Sequence, residues 1–357
     1  MTKQRVAILY GGRSVEHGVS INSARNIFEY LDKNQFEPIP IGLDLNGKWY
    51  LTSTVDREIS KGEPLQIEAD PEKPGFRSKS GLIRPDVVFP VLHGTDGEDG
   101  SIQGLLTALS LPFVGSGVLG SALSMNKIIA KQMLAAAGLP VTPFVAYGAT
   151  DRHAIKFSEV ISKFGTPFMV KAASLGSSVG VSKVRTELEM NAALDEAFRY
   201  DTEVLIEQYI PGREIECAIL GNDPVEASLP GEIIISSNYE FYSFDAKYVD
   251  PNAVKIQVPA NLEPAVSERI REVSIKAFQA LRCQDFARVD LFFSEKGIFI
   301  NEINTIPGFT NSSMYPMMWK ERGIGFSELI TRLIRIAQKR TTALGMLNRD
   351  FKSSLKY

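Results

Sequence analysis

Cysteine is nearly missing from this chain: Cys217 and Cys283 are the only two in 357 residues. They lie far apart, with no histidine beside them in a ligand spacing. That excludes a zinc site or a disulfide framework and predicts two reduced core thiols. A basic surplus is missing as well. With 39 Lys and Arg against 42 Asp and Glu the net charge is −3, so neither nucleic acid nor an anionic membrane is an expected partner. No apolar run approaches the roughly 20 residues that would span a bilayer. MTKQ passes straight into the strand-like RVAILY, which leaves no room for a signal segment and predicts a cytoplasmic location. The GxxxxGK(S/T) order of a P-loop, the GxGxxG of a dinucleotide fold, internal repeats and low-complexity tracts are absent too.

What remains is 44% hydrophobic and 23% charged, the balance of a globular protein long enough for two or three domains. The run Arg5 to Tyr10, the Gly11-Gly12 turn and the helical spacing of Ala24, Ile27, Phe28 and Leu31 read as strand, turn and helix. Apolar runs at Pro38 to Leu43, Asp86 to Leu92 and Leu111 to Val114 continue the alternation, so an α/β unit with an open parallel sheet is expected over 1–120. Such sheets bind ligands beyond the carboxyl ends of their strands. The polar, glycine-rich loops Gly11 to Ser20 and His93 to Ser101 should therefore line one crevice. A second unit over 121–210 starts with SMNKIIAKQMLAAAGLPV, read as one helix closed by Gly138, with Lys127 and Lys131 on the same face. The third unit, 211–345, opens at Pro211-Gly212. Five aromatics between Ser236 and Pro251, in a stretch without periodicity, suggest a lid or binding loop.

The most chemical segment is Ala287 to Gly308, ARVDLFFSEKGIFINEINTIPG. Two apolar runs flank a Ser-Glu-Lys-Gly turn, the pattern of a hairpin. A three-residue loop Glu295 to Gly297, with Gly297 at positive φ, would set Ser294 against Ile298 and Asp290 against Glu302. Alternation then puts Arg288, Asp290, Glu302 and Asn304 on one face. Two carboxylates and an amide oxygen are hard donors suited to Mg²⁺, which completes its shell with water and substrate phosphate. An exposed hairpin face carrying an ordinary salt bridge is the plainer alternative.

Upstream, the loop Ser174 to Gly180 offers successive amides for an anion. Lys171 lies in strand register beside it and could hold a phosphate, or could be a solvated strand lysine. Glu207 interrupts an apolar strand and Glu214 follows a Pro-Gly turn. Each could accept hydrogen bonds from an adenine amino group or ribose hydroxyls, or be a surface charge.

In this order GGRSVEHGVS, VLHGTDGEDGSIQG, GSGVLGSALSMNK, KAASLGSSVGVSKV, VLIEQYIPGRE, FDAKY, ARVD and NEINTIPGFTNSSMYP resemble the ATP-grasp ligases, and among them the D-alanine–D-alanine ligases, over nearly the whole chain. The resemblance implies a three-domain α/β architecture with ATP held between two antiparallel sheets, and an acyl phosphate made from ATP and one D-alanine, which a second D-alanine attacks as its amine. It implies that Lys127, Lys171, Ser178, Glu207, Ile210 and Glu214 bind ATP. Asp290, Glu302 and Asn304 would hold two Mg²⁺, with Mn²⁺ able to substitute. Glu16 would meet the first ammonium, His93 would lie near that substrate, and Lys247, Ser313 and Met314 would meet the second amino acid. Arg288 and the Gly308 amide would stabilise the oxyanion, while Ser177, Tyr248 and Glu16 would close the aromatic loop. A homodimer is also implied. One departure is Gly18, where the family commonly carries an acid.

Overall fold

The computed structural model describes residues 2–70, 72–177, 179–236, 239 and 253–348. At the N-terminal end the strands Phe36–Leu43, Gln4–Gly11 and Val87–Pro90 pair in parallel, as their continuous apolar runs require of strands buried on both faces. The sheet is not wholly parallel, however. Trp49–Leu51 and Glu63–Pro64 extend one edge antiparallel. Leu111 to Val114 is not a strand either, contributing a single bridge from Phe113 to Val88. Gly115, at φ +105°, turns the chain away, and its N–H donates to Asp285 at 2.9 Å.

One face of this sheet is covered by the helix Ser101–Ala108 and a small sheet carrying Phe76. The other meets the helix His17–Tyr30 and, from the far end of the chain, the helix Phe326–Gly345. Leu329, Ile330, Leu333 and Ile334 of that last helix are completely buried with Val6, Ile8 and Val87. Arg340 fastens it further along, binding buried Asp285 at 2.9 Å and the carbonyl of Phe113 at 2.7 Å.

The expected single helix after Ser121 is two, Val118–Met125 and Lys127–Ala136. Asn126 breaks the run with an extended backbone and caps the second helix, its side-chain oxygen accepting from the N–H groups of Ile128 and Ile129 at 3.1 and 3.0 Å. A four-stranded antiparallel sheet follows, in the order Val181–Val184, Phe168–Ala172, Glu203–Gln208, Phe144–Gly148. The third sheet is antiparallel too, ordered Val254–Gln257, Gly231–Ile235, Arg213–Leu220, Phe286–Ser294, Gly297–Asn304, with the helix Pro264–Ala280 in its core.

The hairpin of the third sheet corrects one expectation and keeps its consequence. Its loop has two residues, because Ser294 pairs with Gly297 and Phe293 with Ile298. Gly297 does take positive φ, +115°. A bulge between Asp290 and Leu291 then leaves Asn301 as the extra residue of the second strand, and this restores Asp290 opposite Glu302 and Arg288 opposite Asn304.

Candidate functional site

A cleft of about 330 Å³ lies between the two antiparallel sheets. Lys171 and Glu207 come from the central sheet, Glu214, Asp290 and Glu302 from the third, and Lys127 from the helix start between them. Ile210 lines it as a buried apolar contact at the crossing between the sheets.

Opposite charges inside the cleft satisfy one another. Lys127 Nζ lies 3.2 Å from Glu302 Oε2 and donates to the Leu175 carbonyl at 2.5 Å. Arg288 grips Asp290 with two hydrogen bonds of 2.7 Å, while its Nε lies 2.9 Å from Glu216, the residue facing Asp290 on the next strand. The Asn304 amide donates to Asp290 at 2.9 Å. Glu207 is buried between Lys171 and Lys131, the latter 3.1 Å away. Burial alone would raise its pKa; the two ammonium groups hold it below the ordinary value instead. Because the bulge turns Asn301 into the cleft beside Glu302, its side-chain amide oxygen Oδ1 accepts from Lys171 at 3.0 Å.

The donor set fits a hard divalent cation. Asp290, Glu302 and Asn304 offer oxygen ligands from adjacent strands. A hard cation such as Mg²⁺ needs only a few protein oxygens and completes its shell with water and phosphate.

The other end of the site is built by the N-terminal loops. The Ser20 hydroxyl accepts from the Gly11 N–H at 2.8 Å and donates to the Val91 carbonyl at 2.5 Å, tying two strand ends together. The two loops border one hollow of about 320 Å³, as expected, with Arg13 and Asp96 joined across it at 2.7 Å. Glu16 is buried and accepts the Ser177 hydroxyl. Ser177 itself stands at φ +53°, a left-handed backbone that is costly for a side-chain-bearing residue and aims its oxygen inward. Glycine flanks the carboxylate on both sides: a Cβ at Gly94 or Gly176 would come within 2.6 or 2.7 Å of Glu16 Oε2.

His93 is buried, and burial pushes its pKa down, Glu16 opposing and Arg288 assisting. A carbonyl only accepts, so Nδ1 donates to Ile306 at 2.9 Å. Nε2 of the neutral ring then accepts from the Ser23 hydroxyl at 3.0 Å, whose oxygen receives the Phe309 N–H at 3.2 Å. Both ring nitrogens are thus spent on holding the loop that carries Gly308. Glu98 performs a parallel task, accepting from Gly94 N–H at 2.8 Å and Ile306 N–H at 2.9 Å. Desolvation, then the Glu16 charge, push its carboxyl up to about 8.

Ser313 starts the helix Met314–Glu321, and its hydroxyl accepts the Thr310 N–H at 3.0 Å, close against Gly308. Met314 points into the hydrophobic core, over Gly231, rather than into a polar site. Ser178, Lys247 and Tyr248 lie outside the described residues, as does most of the aromatic stretch. Sequence reasoning missed Glu98, Glu216 and Asn301 as site residues and gave Lys131 no role. Only Glu216 had a plain signal, two residues from Glu214 on the same strand face.

Two antiparallel sheets closing on a cleft, with Lys171 and Glu207 on one, Glu214, Asp290 and Glu302 on the other and Lys127 at a helix start between them, form the arrangement of an ATP-grasp ligase. The chain belongs to the D-alanine–D-alanine ligase family: its N-terminal family profile, "D-ala D-ala ligase N-terminus", matches residues 5–116, and "D-ala D-ala ligase C-terminus" matches 133–335. D-alanine–D-alanine ligase A of Escherichia coli (strain K12) is 46% identical over 358 residues, covering 96% of this chain and 98% of that one. The D-alanine–D-alanine ligase structure from Coxiella burnetii superposes with a TM-score of 0.84 at 38% identity, over 96% of this chain and 97% of that one. The VanG D-Ala:D-Ser ligase from Enterococcus faecalis gives 0.85 at 36%, over 94% and 100%.

Proposed function

We propose that this enzyme joins two D-alanine molecules at the expense of ATP, for peptidoglycan precursor synthesis, in three units spanning 1–120, 121–210 and 211–345, working in the cytoplasm as a homodimer. The carrying observation is the meeting of two half-sites: Glu16 held by Ser177 at one end, and Asp290, Glu302 and Asn304 facing Lys127 and Lys171 at the other.

A carboxylate does not accept an amine until its oxygen has become a leaving group. In the first step a carboxylate oxygen of D-alanine, its ammonium near Glu16, attacks the γ-phosphorus and releases ADP. Lys127 and Lys171 would hold the phosphates during that transfer, with Ile210 and Glu214 placed for the nucleoside. Two Mg²⁺ ions on Asp290, Glu302 and Asn304 would supply charge neutralisation for the phosphoryl group when bound. The second D-alanine, its carboxylate near Ser313, attacks the acyl carbon as the free amine. The oxyanion of the tetrahedral adduct would take hydrogen bonds from Arg288 and the Gly308 N–H, and collapse expels phosphate. His93 and Glu98 act by positioning: both grip Ile306, two residues before Gly308.

Isotopically labelled D-alanine, ATP and Mg²⁺ test this directly. Labelled dipeptide with one phosphate per bond is expected; phosphate release that does not respond to D-alanine sinks the reading. The likeness to the VanG D-Ala:D-Ser ligase supports a second reading, a mixed dipeptide, and equal D-alanine and D-serine in one reaction separate the two by product mass.

A further inference from the structure

Among the described residues Lys131 makes one ion pair, with Glu207. Its side chain is 1% exposed, it does not line the nucleotide cleft, and its ammonium lies 3.1 Å from Glu207 Oε2 without hydrogen-bond geometry. Burying an ammonium is strongly unfavourable unless something repays it. Glu207 is itself 1% exposed and shares its other oxygen with Lys171.

That arrangement poses a problem for a ligand. Lys171 is held by Glu207 and by Asn301, yet a triphosphate in the cleft would draw it away. Once Lys171 leaves, a buried carboxylate has lost a counter-ion, which is strongly unfavourable when nothing replaces it. We propose that Lys131 is a positioning residue for nucleotide binding: it keeps the Glu207 carboxylate neutralised from behind, so that Lys171 can exchange that carboxylate for phosphate. Lys131 touches no ligand. Its effect is carried by Glu207 and felt only by ligands with phosphate groups.

The inference rests on Lys171 being a phosphate ligand, and the experiment separates the two ideas. Calorimetric titrations of ATP and of adenosine are made on the intact enzyme and on Lys171→Met, Lys131→Met and Lys131→Met/Glu207→Gln. Methionine keeps the unbranched apolar stem and removes the charge. Lys171→Met should weaken ATP and spare adenosine; equal loss for both overturns the phosphate assignment, and the inference with it. Given that result, Lys131→Met should weaken ATP about ten-fold or more, with adenosine changed by less than about two-fold. Loss common to both ligands, or no loss, overturns the role of Lys131. In the double variant no carboxylate remains to retain Lys171, so the ratio of ATP to adenosine affinity should return toward that of the parent enzyme. This arm remains readable where Lys131→Met folds poorly, and a ratio that fails to recover overturns the inference.

Discussion

The two ends of the site solve the problem of buried charge in opposite ways. At the nucleotide end carboxylates are set against cations: Glu302 with Lys127, Asp290 and Glu216 with Arg288, Glu207 with Lys131 and Lys171. At the amino-acid end two carboxyl groups, Glu16 and Glu98, are neighbours held by a hydroxyl and by backbone N–H groups, and burial with the Glu16 charge drives the Glu98 carboxyl up to about 8, so that it holds its proton. The first end is prepared for a highly charged ligand, which enters by exchanging ion-pair partners. On the proposed reading the second keeps a single charged carboxylate, Glu16, where a small ammonium would dock, with Glu98 protonated below about pH 8 beside it and the walls fixed through the main chain.

Substitutions that remove one charge should expose that contrast. Glu302→Gln takes a hard ligand from the nucleotide end and should lower kcat by about a thousand-fold or more while the fold stays intact; phosphate release and circular dichroism check the two halves, and near-normal turnover would contradict the metal role. Glu16→Gln should raise KM for D-alanine by roughly a hundred-fold, the scale of one lost charge-assisted hydrogen bond, and leave KM for ATP nearly unchanged. An equal rise for both substrates would erase the division into two ends.

The amino-acid end should also show itself in the pH dependence of stability. A carboxyl raised to about 8 in the folded protein keeps its proton where the unfolded chain has lost it. Its contribution is therefore fully present below the unfolded pKa and is lost as pH rises through about 8. Melting temperatures should fall from about pH 5 to about pH 8, and Glu98→Gln should flatten that slope; parallel curves for the two proteins would refute the assignment. The smallest effect lies at the helix start beside Glu16. Gly18 has open space around it, and the first turn of that helix carries no acid. Gly18→Glu should therefore raise stability by about 1 kcal/mol, from helix propensity and the helix dipole together, read as a higher midpoint in urea.

Much of this was legible where a local rule applies. Alternation along apolar strands put Asp290, Arg288, Glu302 and Asn304 together, and glycine-rich loops after two predicted strands marked the crevice that His93 lines. What escaped depends on distant pairing. Asn301 enters the cleft only because a two-residue turn is offset by a bulge. Glu98 has meaning through Ile306, 208 residues away. Lys131 reads as the next turn of a lysine-bearing helix face until the strand Glu203–Gln208 lays Glu207 against it. Met314 stood out by its place in a motif, and its side chain packs in the core.

The helix Phe326–Gly345 has a consequence for biogenesis. It shares with the helix His17–Tyr30 the roof over the first sheet, through Leu329, Ile330, Leu333 and Ile334, so the apolar floor formed by Val6, Ile8 and Val87 is only partly covered on the ribosome until a segment more than 200 residues further along has emerged. Until that distant helix is made the first layer is incompletely packed, and the nascent chain presents a sticky surface that chaperones are suited to shield.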